Sequence, residues 1–245
     1  MSKLIFSSLA ITMFLTTNIN AQETLENPFK ADVEAGLVSA NGNTRSESYL
    51  TKGNLSYKLD AYLVKVLGTY LRNKSRDNDT NTITENEKWD IGLRLERAIS
   101  TRLSVYLGQN MESDKLAGID RRYNSDAGLK YILAQSEGYY TLAEAGYRYT
   151  TEEYLDGTDE NFNFLRAYLE TEKKWTPTLS TKAWAEYLPN MDKSEDYNVN
   201  AEASVNAAID SRFSIKTAYL VKYDNMPAAI HKTDTLFSTS LIAKF

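Results

Sequence analysis

Few residues in this 245-residue chain have the chemistry of a catalyst. The chain holds one histidine, His231, followed by Lys232 and Asp234 and preceded by Asp224. Hydrolysis needs a general base beside a nucleophile or an activated water, with the base oriented by an acid or amide. Asp234 lies three residues after His231, at the start of a predicted strand, and no serine shares that face one step away. Asp224 and Asp234 approach His231 no better than carboxylates in any hairpin, so an enzyme is not expected. One histidine with scattered loop carboxylates does not make a structural zinc site, which needs His or Cys in number. The stretch Asp156-Gly157-Thr158-Asp159-Glu160 offers oxygen ligands and a turn glycine. It lacks calcium helix–loop–helix spacing, and a hydrated loop is expected there. Divalent cations bridging that loop to lipopolysaccharide phosphate are the alternative. No cofactor is expected.

More informative are charges that recur at a spacing of two. In 86–98, Asp90, Arg94 and Glu96 alternate with Trp89, Ile91, Leu93 and Leu95. In 212–224, Ser214, Lys216, Lys222 and Asp224 alternate with Phe213, Ile215, Tyr219, Val221 and Tyr223. In 195–208, Asn198, Asn200, Glu202, Ser204 and Asn206 oppose Tyr197, Val199, Ala201, Ala203, Val205 and Ala207. A period of two is a β-strand with different environments on its two faces. The segment 61–71 alternates poorly, and Lys65 is placed on the polar face only because a charge in lipid is costly. The same rule gives a polar face with candidate charges Arg94, Glu96, Lys130, Glu144, Arg148, Arg166, Glu186 and Lys216, together with Lys52, Lys58, Asp90, Asp126, Glu170, Lys182, Glu202 and Lys222. Both signs are present in near balance. A pore for acidic sugars calls for a basic excess and a nucleoside channel for more lumenal aromatics, and neither pattern dominates.

These residues sit on about twelve predicted strands, near 32–39, 46–58, 61–72, 86–98, 101–112, 122–135, 138–151, 162–174, 178–188, 195–208, 212–224 and 234–245. Tight connections at 59–60, 99–100, 136–137, 176–177 and 210–211 alternate with longer polar ones at 41–45, 73–85, 113–121, 152–161, 189–194 and 225–233. Asn41-Gly42-Asn43-Thr44 reads as a tight hairpin turn. Long outer loops, short periplasmic turns and both ends on one side are the topology of a transmembrane antiparallel up-and-down barrel. Seventeen tyrosines against four prolines suit strands and membrane boundaries. Aromatics recur near strand ends at Tyr49, Tyr57, Trp89, Tyr139, Tyr149, Tyr187, Tyr197 and Tyr223. A soluble all-β domain is the alternative; it has no reason to keep the alternation of loop lengths.

The two ends of the chain agree. Lys3, the apolar run Leu4 to Leu15 and Asn18-Ile19-Asn20-Ala21 read as a signal peptide over residues 1–21, cut between Ala21 and Gln22. A short periplasmic lead over 22–31 and a single barrel domain over 32–245 follow. There is no cysteine, which excludes a lipid-anchored lipoprotein and any disulfide. Removing Lys3, the one charge in 1–21, takes the formal net charge from -5 to -6, which leaves no footprint for nucleic acid. The final residues TLFSTSLIAKF alternate with Phe237, Leu241 and Phe245 on one face. A last strand closing on an aromatic residue resembles bacterial outer-membrane barrels, in which that residue is read by the barrel-assembly machinery.

Four blocks carry a more specific resemblance: AGLVSANGNT (35–44), RRYNSDAGLKY (121–131), LAEAGYRYTTE (142–152) and YDNMPAAIHKTDTLFSTSLIAKF (223–245). They are similar to the salt-induced outer-membrane protein family, the YdiY-like barrels. The resemblance implies an outer-membrane barrel whose expression responds to salt in at least one member. It implies no substrate, cofactor or catalytic residue. The expectation is an all-β barrel in the cell outer membrane, a monomer in contact with membrane lipid and lipopolysaccharide. Passage of small solutes is the leading activity, ahead of a non-conducting structural or interaction barrel and of an outer-membrane hydrolase.

Overall fold

The computed structural model describes residues 28–40, 44–77, 83–115, 118–227 and 232–245. Alternation at period two is carried out as twelve strands: β1 (Phe29–Ala40), β2 (Thr44–Leu59), β3 (Tyr62–Asp77), β4 (Ile83–Ala98), β5 (Leu103–Asp114), β6 (Ile119–Ser136), β7 (Tyr139–Tyr154), β8 (Asp159–Lys174), β9 (Leu179–Pro189), β10 (Tyr197–Ala208), β11 (Phe213–Asp224) and β12 (Thr233–Lys244). Each pairs antiparallel with its neighbours in sequence, and β1 pairs with β12, so the sheet closes on itself. The seam is short, running from Asp32 opposite Lys244 to Gly36 opposite Ser240. Backbone bonds extend it by one residue: Phe245 N–H donates to the Ala31 carbonyl at 2.8 Å, and Ala31 N–H donates to that of Phe245 at 3.3 Å. Closure removes the unpaired strand edges that an open sheet would present.

The outer face is apolar where the inner face is charged. Ile91, Leu93 and Leu95 point outward and are exposed, while Gly92 between them and Glu96 just after them are buried. Phe237 and Leu241 lie on the same outer face of β12, with the exposed Phe245 just beyond. Aromatic residues mark both ends of this band. On β7 the outward tyrosines Tyr139 and Tyr149 are ten residues apart, roughly 33 Å along the strand. Tilted by about 40°, that is roughly 25 Å of height, the thickness of an outer-membrane apolar band. Beyond Tyr70 the outward residues turn charged, and Arg72 and Lys74 pair with Glu85 across β3 and β4 at 2.7 and 3.0 Å. The segment 61–71 alternates poorly because both of its faces are apolar: Leu63, Leu67 and Leu71 share Lys65's face and Val64, Val66 and Tyr70 the other. Among the described residues no helix is long and apolar enough to cross a membrane.

The loop lengths differ from the sequence expectation. The polar segments expected as loops at 73–85, 113–121 and 152–161 are largely strand, and the connections shrink to 78–82, 115–118 and 155–158. Polar side chains keep pairing there, as in Tyr149 and Thr151 donating to Asn161 across β7 and β8. Glu85, Glu152, Glu153, Asp159 and Glu160 therefore belong to strands rather than loops. The longest connections, 190–196 and 225–232, lie at this same end. At the other end the turns are two to four residues, and Asp60 takes a left-handed backbone (φ 49°) in the shortest kind. Asp210 closes another of these turns by accepting the Arg212 and Phe213 N–H at 2.7 and 2.8 Å. Those bonds hold its carboxyl below the usual carboxylate range.

Candidate functional site

The chemistry of the barrel is inside it. Antiparallel register puts Arg94 of β4 opposite Lys65 of β3, two cations side by side. Glu96 makes this tolerable: Lys65 Nζ lies 3.2 Å and Arg94 Nε 2.8 Å from its carboxylate, and Lys130 pairs with it from β6. Arg94 then reaches over β5 and β6 to Glu144 of β7 at 2.6 Å. Glu144 also receives Arg166 of β8 at 2.6 Å, and Arg166 continues to Glu186 of β9 at 2.6 Å. Arg148 joins Glu186 at 3.3 Å and Asp126 at 2.7 Å. The result is one lattice of alternating charge, running from β3 to β9. Arginine suits it because a planar fork can serve two carboxylates at once.

Tyr106 of β5 sits under this lattice, only 2% exposed. Arg94 stacks 3.9 Å above its ring, and Arg166 Nη1 donates to its hydroxyl at 2.9 Å. It lies this flat because its cross-strand neighbours are glycines: Tyr106 is opposite Gly128, and Gly128 is opposite Gly146. A Cβ on Gly128 or Gly146 would stand 2.7 or 2.6 Å from the tyrosine oxygen. An aromatic laid over strand glycines restores the packing that those glycines lack.

Two further clusters reach across the lumen. Lys216 of β11 contacts Glu202 at 3.1 Å and Glu34 at 3.6 Å, while Lys52 of β2 approaches Glu202 of β10 at 3.8 Å. Nearer the end with the longer loops, Arg122 pairs with Glu112 and Glu152, and Lys88 with Asp114. Lys222 of β11 extends from the far wall into the field of Asp90, Glu112, Lys88 and Arg122. Opposite the main lattice, the inner wall of β10 to β12 carries smaller groups, among them Ser204, Asn206, Ala218, Ser238 and Ser240. The lattice is therefore eccentric, and on the opposite wall short side chains fill the stretch between Lys216 and Lys222.

Of the charges expected to line the interior, Arg94, Glu96, Lys130, Glu144, Arg148, Arg166 and Glu186 meet in one network. Lys216 stands apart from it, with Glu34 and Glu202. Lys65 points inward, as the cost of a charge in lipid required. Sequence reasoning passed over Glu34, Glu112, Arg122, Tyr106 and the glycines, and placed Glu152 in a loop. No alternation marks these rim charges in the sequence, because β5 is bulged between Glu112 and Asp114 and 150–154 is polar on both faces. Inward aromatics are also more numerous than expected, with Phe164, Tyr168 and Trp184 joining Tyr106; Tyr168 and Trp184 stack at 5.9 Å. Ala21, Gln22, Asn41–Asn43 and His231 lie outside the described residues. Among the described residues no cluster of three or more His, Cys, Asp or Glu is arranged to hold a metal ion.

Residues 33–245 match a family model described as a protein of unknown function, DUF481. Among solved structures, the fold is similar to an outer membrane channel from Pseudomonas putida F1. The TM-score is 0.57 at 12% identity, covering 94% of this chain and 100% of that one. It is also similar to the NanC porin, with a TM-score of 0.50 at 10% identity, covering 87% of this chain and 97% of the porin. At such identities the likeness is one of fold. No curated protein matches the sequence.

Proposed function

We propose, from the premise that this chain belongs to the DUF481 family of proteins of unknown function, that it works in the outer membrane as a narrow channel for small solutes with weak charge preference. The observation that carries this reading is the lumenal lattice, in which Arg94, Arg148 and Arg166 are each matched by carboxylates. A lumen that holds both signs at one level gives a permeating ion no strong bias. The eccentric placement leaves the part of the β10 to β12 wall between Lys216 and Lys222, where Ser204, Ala218 and Ser238 face inward, as the path. Solute-swelling assays on proteoliposomes test it: small neutral solutes should enter and larger oligosaccharides should not. Equal exclusion of every solute by folded protein would refute passage.

A second reading has its own observation. Lys222 and the Lys52–Glu202 contact cross the lumen from opposite walls, which favours a non-conducting structural barrel. No catalytic role is part of the proposal. His231→Ala is expected to leave any lipase or protease reading unchanged, and loss of a measurable hydrolysis in that variant would overturn this. Export through the leader 1–21, handling by the barrel-assembly machinery, a monomeric state and contact with lipopolysaccharide belong to the same proposal. So does a setting in salt or envelope stress, supported only by the sequence blocks that resemble salt-induced barrels. A transcript that does not respond to raised salt would remove that setting.

A further inference from the structure

The outer face is not uniformly bulky. Ala183 of β9 is directly opposite Ala203 of β10, and the next outward pair is Ala185 opposite Ala201. Two adjacent strands thus present methyl groups where β4, β5 and β6 present Ile91, Leu93, Leu107 and Leu129. On one side Tyr219 and Phe237, opposite each other on β11 and β12, rise above this floor. On the other side stands Thr171 of β8, directly opposite Ala183. The result is an open groove of about 370 Å³ with a predominantly apolar lining. At one end it meets Lys173, one residue before the end of β8. That ammonium lies 3.7 Å over the ring of the exposed Trp175 and has no carboxylate partner among the described residues.

We propose that this groove seats one acyl chain of an anionic glycerophospholipid, with its phosphate at Lys173. The inference rests on the reading of the chain as a membrane barrel. Lys173 faces lipid, and an outward charge is costly at mid-depth but nearly free at the interface. Its position beside the 175–178 turn places it at the interface, at headgroup level, next to a tryptophan of the kind that favours that depth. The short turns, the start of β1 and the end of β12 share this end of the barrel, which makes it the periplasmic side and the bound lipid one of the inner leaflet. From Thr181 to Ala185 the low floor runs four residues, roughly 13 Å, enough for the headgroup-proximal part of an extended fatty chain, and the exposed Tyr187 ends it. A second copy of the chain fits worse. Two barrels inserted in the same sense and related by a two-fold axis along the membrane normal would bring their Lys173 ammonium groups together at one height.

The test uses the folded full-length barrel in nanodiscs of phosphatidylglycerol and phosphatidylcholine, released under mild conditions into native mass spectrometry. Wild type should retain one phosphatidylglycerol per barrel in preference to phosphatidylcholine. Lys173→Gln should weaken that preference roughly fivefold, the worth of one lysine at an anionic lipid surface. Ala203→Phe, which fills the floor with an apolar ring, should abolish retention while the barrel stays heat-modifiable. Ala127→Phe, an equal enlargement at an exposed outward position outside the groove, should change nothing. Unchanged retention in both groove variants, or equal retention of the two lipids by wild type, would overturn the proposal. So would a wild-type dimer that Ala203→Phe dissociates. Failure of folded protein to float with vesicles would instead defeat the membrane reading itself.

Discussion

Gly146→Ala probes the lumenal lattice at its tightest point. A Cβ there would stand 2.6 Å from the Ala127 carbonyl oxygen and 2.6 Å from the Tyr106 hydroxyl. Neither contact is tolerable, and the first involves backbone that cannot swing aside. Overpacking of this kind costs about 1–3 kcal/mol. Displacing the hydroxyl also costs its bond from Arg166, a charge-assisted bond worth about 1.5–3 kcal/mol at most. Together these put the expected loss at about 2.5–6 kcal/mol. Tyr106→Phe alone gives up only the bond to Arg166. In the double variant the hydroxyl clash is gone, so the two losses should not add, and the coupling should be at least about 1 kcal/mol. Rescue should be partial because the Ala127 carbonyl contact remains. The assay is urea titration of protein refolded into vesicles, read by heat-modifiable mobility. Gly146→Ala within about 0.5 kcal/mol of wild type, or strictly additive losses, would refute the packing account.

Other perturbations separate the faces and the network. Leu93→Arg places a charge on the exposed outer face of β4 and should cost about 2–4 kcal/mol. Arg94→Leu should cost less, because Glu144 keeps Arg166 and Glu96 keeps Lys65 and Lys130; equal losses in vesicle refolding would reverse the facing. Arg166→Gln strips Glu144 and Glu186 of a shared cation and frees Tyr106, so it should cost about 3 kcal/mol and widen the lumen, and unchanged stability and conductance would count against the lattice. Phe245→Ala keeps the backbone bonds to Ala31 and should lower the inserted yield in cells without changing the urea midpoint of refolded protein. Equal yields would separate this aromatic from assembly.

The strand count and the facing of most residues were legible because a charge in lipid is so costly that alternation between Leu93 and Arg94 has one sensible orientation. Lys65 shows the reach of that rule: its strand barely alternates, yet the charge settles the face. What could not be read is the register, and the lattice depends on register. Arg94 and Glu144 are fifty residues apart and meet only after four strands are set side by side. Tyr106 could not be matched to Gly128 and Gly146 before the β5–β6–β7 pairing was known. Polar stretches such as 150–154 resemble loops by composition, yet they continue as strand because Glu152 has Arg122 to meet. The outer groove was hidden for the same reason, since alanines at 183 and 203 are unremarkable until they are neighbours.

Conductance of single refolded barrels in planar bilayers tests the central claim most directly, measured in symmetric salt and then across a salt gradient. Arg94, Arg148 and Arg166, each matched by carboxylates, predict small, uniform current steps and a reversal potential near zero under the gradient. Arg166→Gln should raise the step size and move the reversal potential toward cation preference, because Glu144 and Glu186 lose the cation they share. Silent insertions of folded protein, in wild type and in Arg166→Gln alike, would contradict a channel and leave the lattice as the plug of a structural barrel.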